Sequence, residues 1–129
     1  MEEIMSKYLF TAMAIASLLF APGAQAHVSL AASTPAAGAS VGKVTQVQLR
    51  FSDVIAPASA RAEVVMTAMP GMTDHPPMKM PLTSAIGKDG RSMTLTMKRA
   101  LVPGTYQVKW TAAGSDGHKR TGAFDFKVK

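Results

Sequence analysis

The 129-residue sequence contains no cysteine. Disulfide staples, thiolate metal sites and dithiol redox chemistry are therefore excluded. Aromatic residues are scarce too, at 6%, with a single tryptophan. So few stacking platforms argue against nucleic acid as a partner. No apolar run is long enough to anchor the chain in a bilayer, since the longest, nearly unbroken from Tyr8 to Phe20, falls short of the roughly 20 residues that a spanning helix needs. Long runs of like charge are missing as well. Lys and Arg outnumber Asp and Glu by 14 to 8, for a net charge of +6, yet only the pairs Lys98-Arg99 and Lys119-Arg120 adjoin. Scattered positive charge reads first as solvated surface and second as attraction for an acidic partner.

What is present begins with an address. The short apolar run is followed by Ala24-Gln25-Ala26, the pattern of a secretory signal peptide with an A-x-A cleavage site. The expected organisation is a signal peptide over residues 1–26, cleaved after Ala26, and one exported domain over 27–129 with no membrane span. Glu2 and Glu3 outweigh Lys7 in a region that is normally positive, which favours Met5 over Met1 as the start of translation. The segment from His27 to Lys129 is long enough to bury a core without staples. A protein handling a thiol-oxidising metal also has a chemical reason to do without cysteine.

Beyond His27 the dominant period is two. Val47-Gln48-Leu49-Arg50-Phe51 alternates apolar and polar residues, as do Met93–Met97, Tyr106–Trp110 and Phe124–Val128. That is the pattern of half-buried strands. Val28–Ser33, Glu63–Thr67 and a short piece near Lys79–Leu82 are weaker strand candidates, and Ala31–Val44, with no apolar period, reads as a loop. About seven short strands punctuated by Gly and Pro, with almost no helix, predict an all-β Greek-key sandwich.

Methionine is abundant, at ten residues, and unevenly spread. Met66, Met69, Met72, Met78 and Met80 crowd a segment that also holds His75, Pro70, Pro76, Pro77 and Pro81. The prolines exclude a helical stripe. A loop of this kind exposes soft, oxidisable thioethers, and thioethers beside one imidazole suit Cu(I). Met93 and Met97 alternate with threonine inside a strand and belong to the core.

The other two histidines are also informative. Removal of Ala26 gives His27 a free α-amine beside its imidazole Nδ1, and the two together close a chelate ring on one metal ion. Asp116-Gly117-His118 supplies a carboxylate and a second imidazole on the loop between the last two strands. Nitrogens from His27 and His118 with an oxygen from Asp116 make a tetragonal N,O set of the kind Cu(II) prefers. The sequence leaves open whether the two segments meet.

His27 at the mature start, Ser33-Thr34-Pro35, Leu49-Arg50-Phe51-Ser52, Val65–Met72, Pro103-Gly104-Thr105-Tyr106 and Ser115-Asp116-Gly117-His118 through Phe126–Lys129 together resemble the CopC-type periplasmic copper-resistance proteins. The resemblance spans essentially the whole mature chain. It implies a cupredoxin-like or immunoglobulin-like Greek-key barrel that carries copper for resistance and homeostasis without catalysing a reaction. It also implies a Cu(II) site of His27, Asp116 and His118 at one end. A Cu(I) site drawn from Met66, Met69, Met72, His75 and Met78 is implied at the other. Asp53, after the Phe-Ser pair, is implied as a supporting group. Gly117 and Lys119-Arg120 depart from the Thr and Pro-Ile more usual around the histidine, and Met80 is an extra thioether whose role stays open. The partners implied are copper ions, with an inner-membrane copper transporter or another periplasmic copper protein as the exchange partner, and a monomer or metal-bridged dimer as the assembled form. Two rivals remain on the residues alone. One is a histidine-brace copper oxidase or monooxygenase, for which the single Trp110 provides little aromatic binding face. The other is a metal-free exported adaptor.

Overall fold

Alternation of side chains along the strands decides both faces of the protein. The computed structural model describes residues 27–72 and 74–129, so the expected signal peptide lies outside the described residues. In chain order the elements are β1 (Leu30–Thr34), β2 (Ser40–Val41), β3 (Gln46–Phe51), a 3₁₀ turn (Pro57–Ser59), β4 (Arg61–Ala68), β5 (Met78–Lys79), β6 (Leu82–Ile86), β7 (Ser92–Met97), β8 (Gly104–Ala113) and β9 (Lys119–Val128). In β3 the side chains of Val47, Leu49 and Phe51 are buried while Gln46, Gln48 and Arg50 are exposed. Its neighbour β7 buries Met93, Leu95 and Met97 in the same way, with Val47 opposite Leu95 and Leu49 opposite Met93. In β8 the inward row is Tyr106, Val108, Trp110 and Ala112.

Two sheets result, one ordered β1-β3-β7-β6 and the other β2-β9-β8-β4-β5. Neighbours pair antiparallel, except that β2 runs parallel to β9. The all-β sandwich expected from the sequence is thus what the chain forms. Nine strands lie among the described residues, because the piece near Lys79–Leu82 resolves into β5 and β6 and because Ser40–Val41 forms β2. The segment Ala31–Val44, expected as a loop, contains the end of β1 and all of β2. Both are edge strands held by backbone ladders, which leave no mark on side-chain periodicity. Among the described residues no helix is long and apolar enough to cross a membrane.

The core fills the space between the sheets. Phe51 meets Trp110 edge to face across it, with ring centroids 5.2 Å apart, and Tyr106 stacks on Phe126 at 5.6 Å. Burying each side chain such as Leu49 or Phe51 contributes about 1.5–3 kcal/mol. The buried Tyr106 hydroxyl donates to the Val102 carbonyl at 2.6 Å, which satisfies a polar group that burial would otherwise penalise. Burial pushes the phenol's pKa up. Gly122 lies beneath the Trp110 indole, where a Cβ would stand 2.6 Å from the ring.

Register fixes the two ends of the sandwich. Arg61 is opposite Thr111 and Ala68 is opposite Thr105, so β4 begins where β8 ends. The β8–β9 turn and the segment after Ala68 therefore lie at opposite ends of β8. At roughly 3.4 Å per residue these ends are about 27 Å apart.

Candidate metal centres

The first candidate centre is built on the β8–β9 hairpin. Ala113 pairs with Lys119, and the turn between them closes with the Gly117 N–H donating to the Gly114 carbonyl at 3.1 Å. Gly117 has φ +75°, a left-handed conformation that side-chain-bearing residues adopt only with strain. The departure noted at this position is therefore compatible with the turn. Asp116 is oriented from within the turn, its Oδ1 accepting the backbone N–H of His118 at 3.0 Å.

His27 arrives from the other end of the sequence. Its neighbour Val28 is buried at 2% exposure, which pins this segment against the core. A Cβ on Gly114 would lie 3.1 Å from the Val28 Cβ and 3.3 Å from Asp53 Oδ2, so only glycine lets these three segments approach without displacement. His27 Nδ1 donates to Asp116 Oδ2 at 2.8 Å, and His118 Nδ1 stands 3.8 Å from the same oxygen. The two imidazoles stack with centroids 5.6 Å apart. One ligand atom from each of His27, Asp116 and His118 lies within 4.8 Å of the others. The structure therefore closes the gap that the sequence left open.

Electrostatics favour the ionised carboxylate at this point. The His118 backbone N–H lowers the Asp116 pKa most, with the His27 hydrogen bond and both imidazoles adding to it against the effect of partial burial. Two imidazoles and an anionic oxygen form a borderline-hard donor set that suits tetragonal Cu(II).

A serine network that the sequence did not reveal supports these candidate ligands. Asp53 Oδ2 accepts the Ser115 hydroxyl at 2.6 Å and the Ser115 N–H at 3.2 Å. Asp53 is held below the usual carboxylate range by that hydroxyl first, then by the Ser115 and Val54 backbone N–H groups. Next to it, Ser52 Oγ accepts the Ser29 N–H at 2.9 Å, and the Ser52 N–H donates to the Ser29 carbonyl at 2.9 Å. The segment carrying His27 and the turn carrying Asp116 are thus tied to the same stretch of chain after β3. Serine beside a ligand was the available signal, at Ser115, but serine is too common to single out.

The second candidate centre follows β4. Met69 and Met72 close a tight turn in which each backbone N–H donates to the other's carbonyl at 3.0 Å. Pro70 and Gly71 occupy its centre, and Gly71 has φ +77°, the requirement of a type II turn. Met72 and Met78 are exposed at 53% and 52%. Met69 and Met80 are half-buried against the core, while Met66 belongs to it at 4% exposure. Met66 and Met78 are cross-strand partners and so share a face of the sheet. Met80 is held by its N–H donating to the Val64 carbonyl at 2.8 Å.

His75 adds a separate observation. Its Nδ1 donates to the Pro76 carbonyl at 2.8 Å, which leaves the lone pair on Nε2. That Nε2 is buried and has no hydrogen-bond partner among the described residues. Burying an unsatisfied acceptor costs about 1–3 kcal/mol, so a lone pair kept free in this way suits a ligand to a soft ion. The methionine segment and His75 lie at the end of the sandwich away from His27, Asp116 and His118.

Comparison with known proteins agrees with this architecture. A family model described as the CopC domain matches residues 30–129. The chain is 38% identical to "Copper resistance protein C" of Pseudomonas syringae pv. tomato, over 98% of this chain and 99% of that protein. It is 36% identical to "Copper resistance protein C" of Escherichia coli, over 98% of this chain and 99% of that protein. The crystal structure of PcoC, described as a methionine-rich copper resistance protein from Escherichia coli, superposes with a TM-score of 0.74 at 36% identity, covering 81% of this chain and 100% of that one. CopC from Methylosinus trichosporium OB3b superposes with a TM-score of 0.67 at 27% identity, covering 80% of this chain and 94% of that one.

Proposed function

The chain belongs to the CopC domain family, and from that premise we propose that it is a periplasmic copper carrier for resistance and homeostasis, holding the metal by oxidation state at two separate sites. Cu(II) is taken by His27, Asp116 and His118, with the α-amine of His27 joining once the signal peptide has been removed. Cu(I) is taken by thioethers from Met66, Met69, Met72 and Met78 together with His75 Nε2. The observation that carries the reading is the convergence of His27, Asp116 and His118, with one ligand atom of each within 4.8 Å of the others. The unpartnered Nε2 of His75 supports the second site independently.

The chemistry is selective holding. Imidazole, amine and carboxylate stabilise the higher oxidation state, and neutral thioethers the lower. With the sites toward opposite ends of β8, each binds and releases its own ion. The proposed role is that of a carrier, not an enzyme, and it accords with relatives named for copper resistance.

Copper titration of the processed protein against competing chelators tests this reading. One equivalent of Cu(II) and one of Cu(I) are expected to bind together. His118→Ala should remove Cu(II) binding and leave Cu(I), and Met72→Leu with Met78→Leu should do the reverse. Loss of both ions from either variant would contradict separate sites. Unchanged binding in both would move copper to other residues, no copper binding by the processed protein at all would leave the metal-free adaptor standing, and copper-dependent oxidation of a polysaccharide, abolished by His27→Ala, would favour the histidine-brace enzyme.

A further inference from the structure

The outer faces of the two sheets differ in charge. On the four-stranded sheet the outward residues are mostly uncharged, including Gln46 and Gln48 on β3 and Thr94 and Thr96 on β7. Arg50 is the cation there, and it pairs with Asp89 at 3.7 Å. On the five-stranded sheet, the positions alternating with the buried rows of β4, β8 and β9 carry Arg61, Lys109, Lys119 and Lys127, and β5 adds Lys79. Against these five cations stand Glu63 and Asp125, and Glu63 is already paired with Lys79 at 3.0 Å. Arg61, Lys109, Lys119 and Lys127 have no ion pair among the described residues.

The cations are also placed to matter. Arg61 is opposite Thr111, which is opposite Thr121, while Lys119 pairs with Ala113 beside the Asp116 turn. A depression of about 820 Å³ lies here, with Arg61, Glu63, Lys79, Lys109, Thr111 and Thr121 among its lining. The exposed large hydrophobic residues Val54, Met72, Met78 and Val102 are not on this face. Of the apolar lining of the depression, Ala62, Met80, Leu82 and Trp110 are buried or half-buried and offer no exposed anchor with which a surface embeds in lipid.

We propose that the outer face of the five-stranded sheet is a docking surface for an acidic segment of a partner protein, received between Arg61 and Lys109 and brought up to the His27–Asp116–His118 centre. Electrostatic complementarity of this kind accelerates encounter and fixes orientation. Only the cargo exchanged in such a complex rests on the carrier reading. The charge test uses metal-free protein, so a failure of docking and a failure of copper binding are told apart.

The experiment titrates the metal-free protein with an alternating Glu/Asp decapeptide while backbone amide shifts are followed by nuclear magnetic resonance. Shifts should concentrate on β4, β8 and the start of β9, and Arg61→Glu with Lys109→Glu should weaken binding at least about tenfold. The reversal of Lys98 and Arg99, which lie off this face, should leave it unchanged. Shifts spread over both sheets, or equal weakening by the two charge reversals, would overturn the proposal. So would engagement of this face by phosphatidylglycerol vesicles but not by the peptide.

Discussion

Asp53 and Ser115, 62 residues apart in the chain, are joined by two hydrogen bonds to one carboxylate oxygen, from the Ser115 hydroxyl at 2.6 Å and its N–H at 3.2 Å. Ser115 immediately precedes Asp116, so the carboxylate of Asp53 holds the turn that orients the candidate ligand. Supporting groups of this kind typically change metal affinity 10–100-fold on mutation. Asp53→Ala should accordingly weaken Cu(II) binding by about 10-fold or more and leave Cu(I) binding unchanged, as measured by chelator competition. Equal effects on both ions would indicate a general loss of structure instead.

Acid should weaken the metal-free fold in a defined window. Asp53, Asp89 and Asp116 all have pKa values lowered from 3.8, by the Ser115 hydroxyl, the Arg91 backbone N–H and the His118 backbone N–H respectively as the largest causes. The unfolded chain then binds more protons than the native one as pH falls through the carboxylate range, so stability falls with it. Each contribution is complete above the unfolded value and is lost as pH drops through the lowered native one. Urea midpoints measured from pH 6 down to pH 2 should decline most steeply below about pH 4, and less steeply in Asp53→Asn. An identical slope in that variant would remove Asp53 from the account.

The Met69–Met72 turn depends on Gly71, whose φ is +77°. Gly71→Val should destabilise the fold by about 1–2 kcal/mol, the penalty for forcing an L-residue into that region. The same change should weaken Cu(I) binding by displacing Met69 from Met72, with Cu(II) binding retained. Cu(I) affinity equal to wild type would detach the turn geometry from the site.

How far all this could be read from sequence differed by element. The strong strands β3, β7, β8 and β9 declared themselves through alternation, because each buries one face against the opposite sheet. Ser40–Val41 and Met78–Lys79 did not, since two-residue edge strands are held by backbone bonds that carry no side-chain signature. His27, Asp116 and His118 were recognisable by chemistry, but their meeting depends on Gly114 admitting Val28 and Asp53, a three-body approach with no linear pattern. The unpartnered Nε2 of His75 is likewise a property of packing.

Gly122 provides a test of the core that is independent of metal. A Cβ at this position would stand 2.6 Å from the Trp110 ring, so Gly122→Ala should cost about 1–3 kcal/mol through overpacking. Tryptophan emission should shift with it, since Trp110 is the only such residue, and copper stoichiometry should be preserved. A urea midpoint equal to wild type would mean that the indole moves aside freely.

Electron paramagnetic resonance of the processed protein loaded with one equivalent of Cu(II), beside a form carrying one extra residue before His27, tests the central claim most directly. The account predicts a tetragonal signal with nitrogen couplings from the His27 amine and imidazoles, altered or abolished by the extension, because an amide nitrogen no longer offers the terminal chelate. An identical signal from both forms would contradict His27 as a terminal ligand and leave the methionine segment with His75 as the remaining copper site.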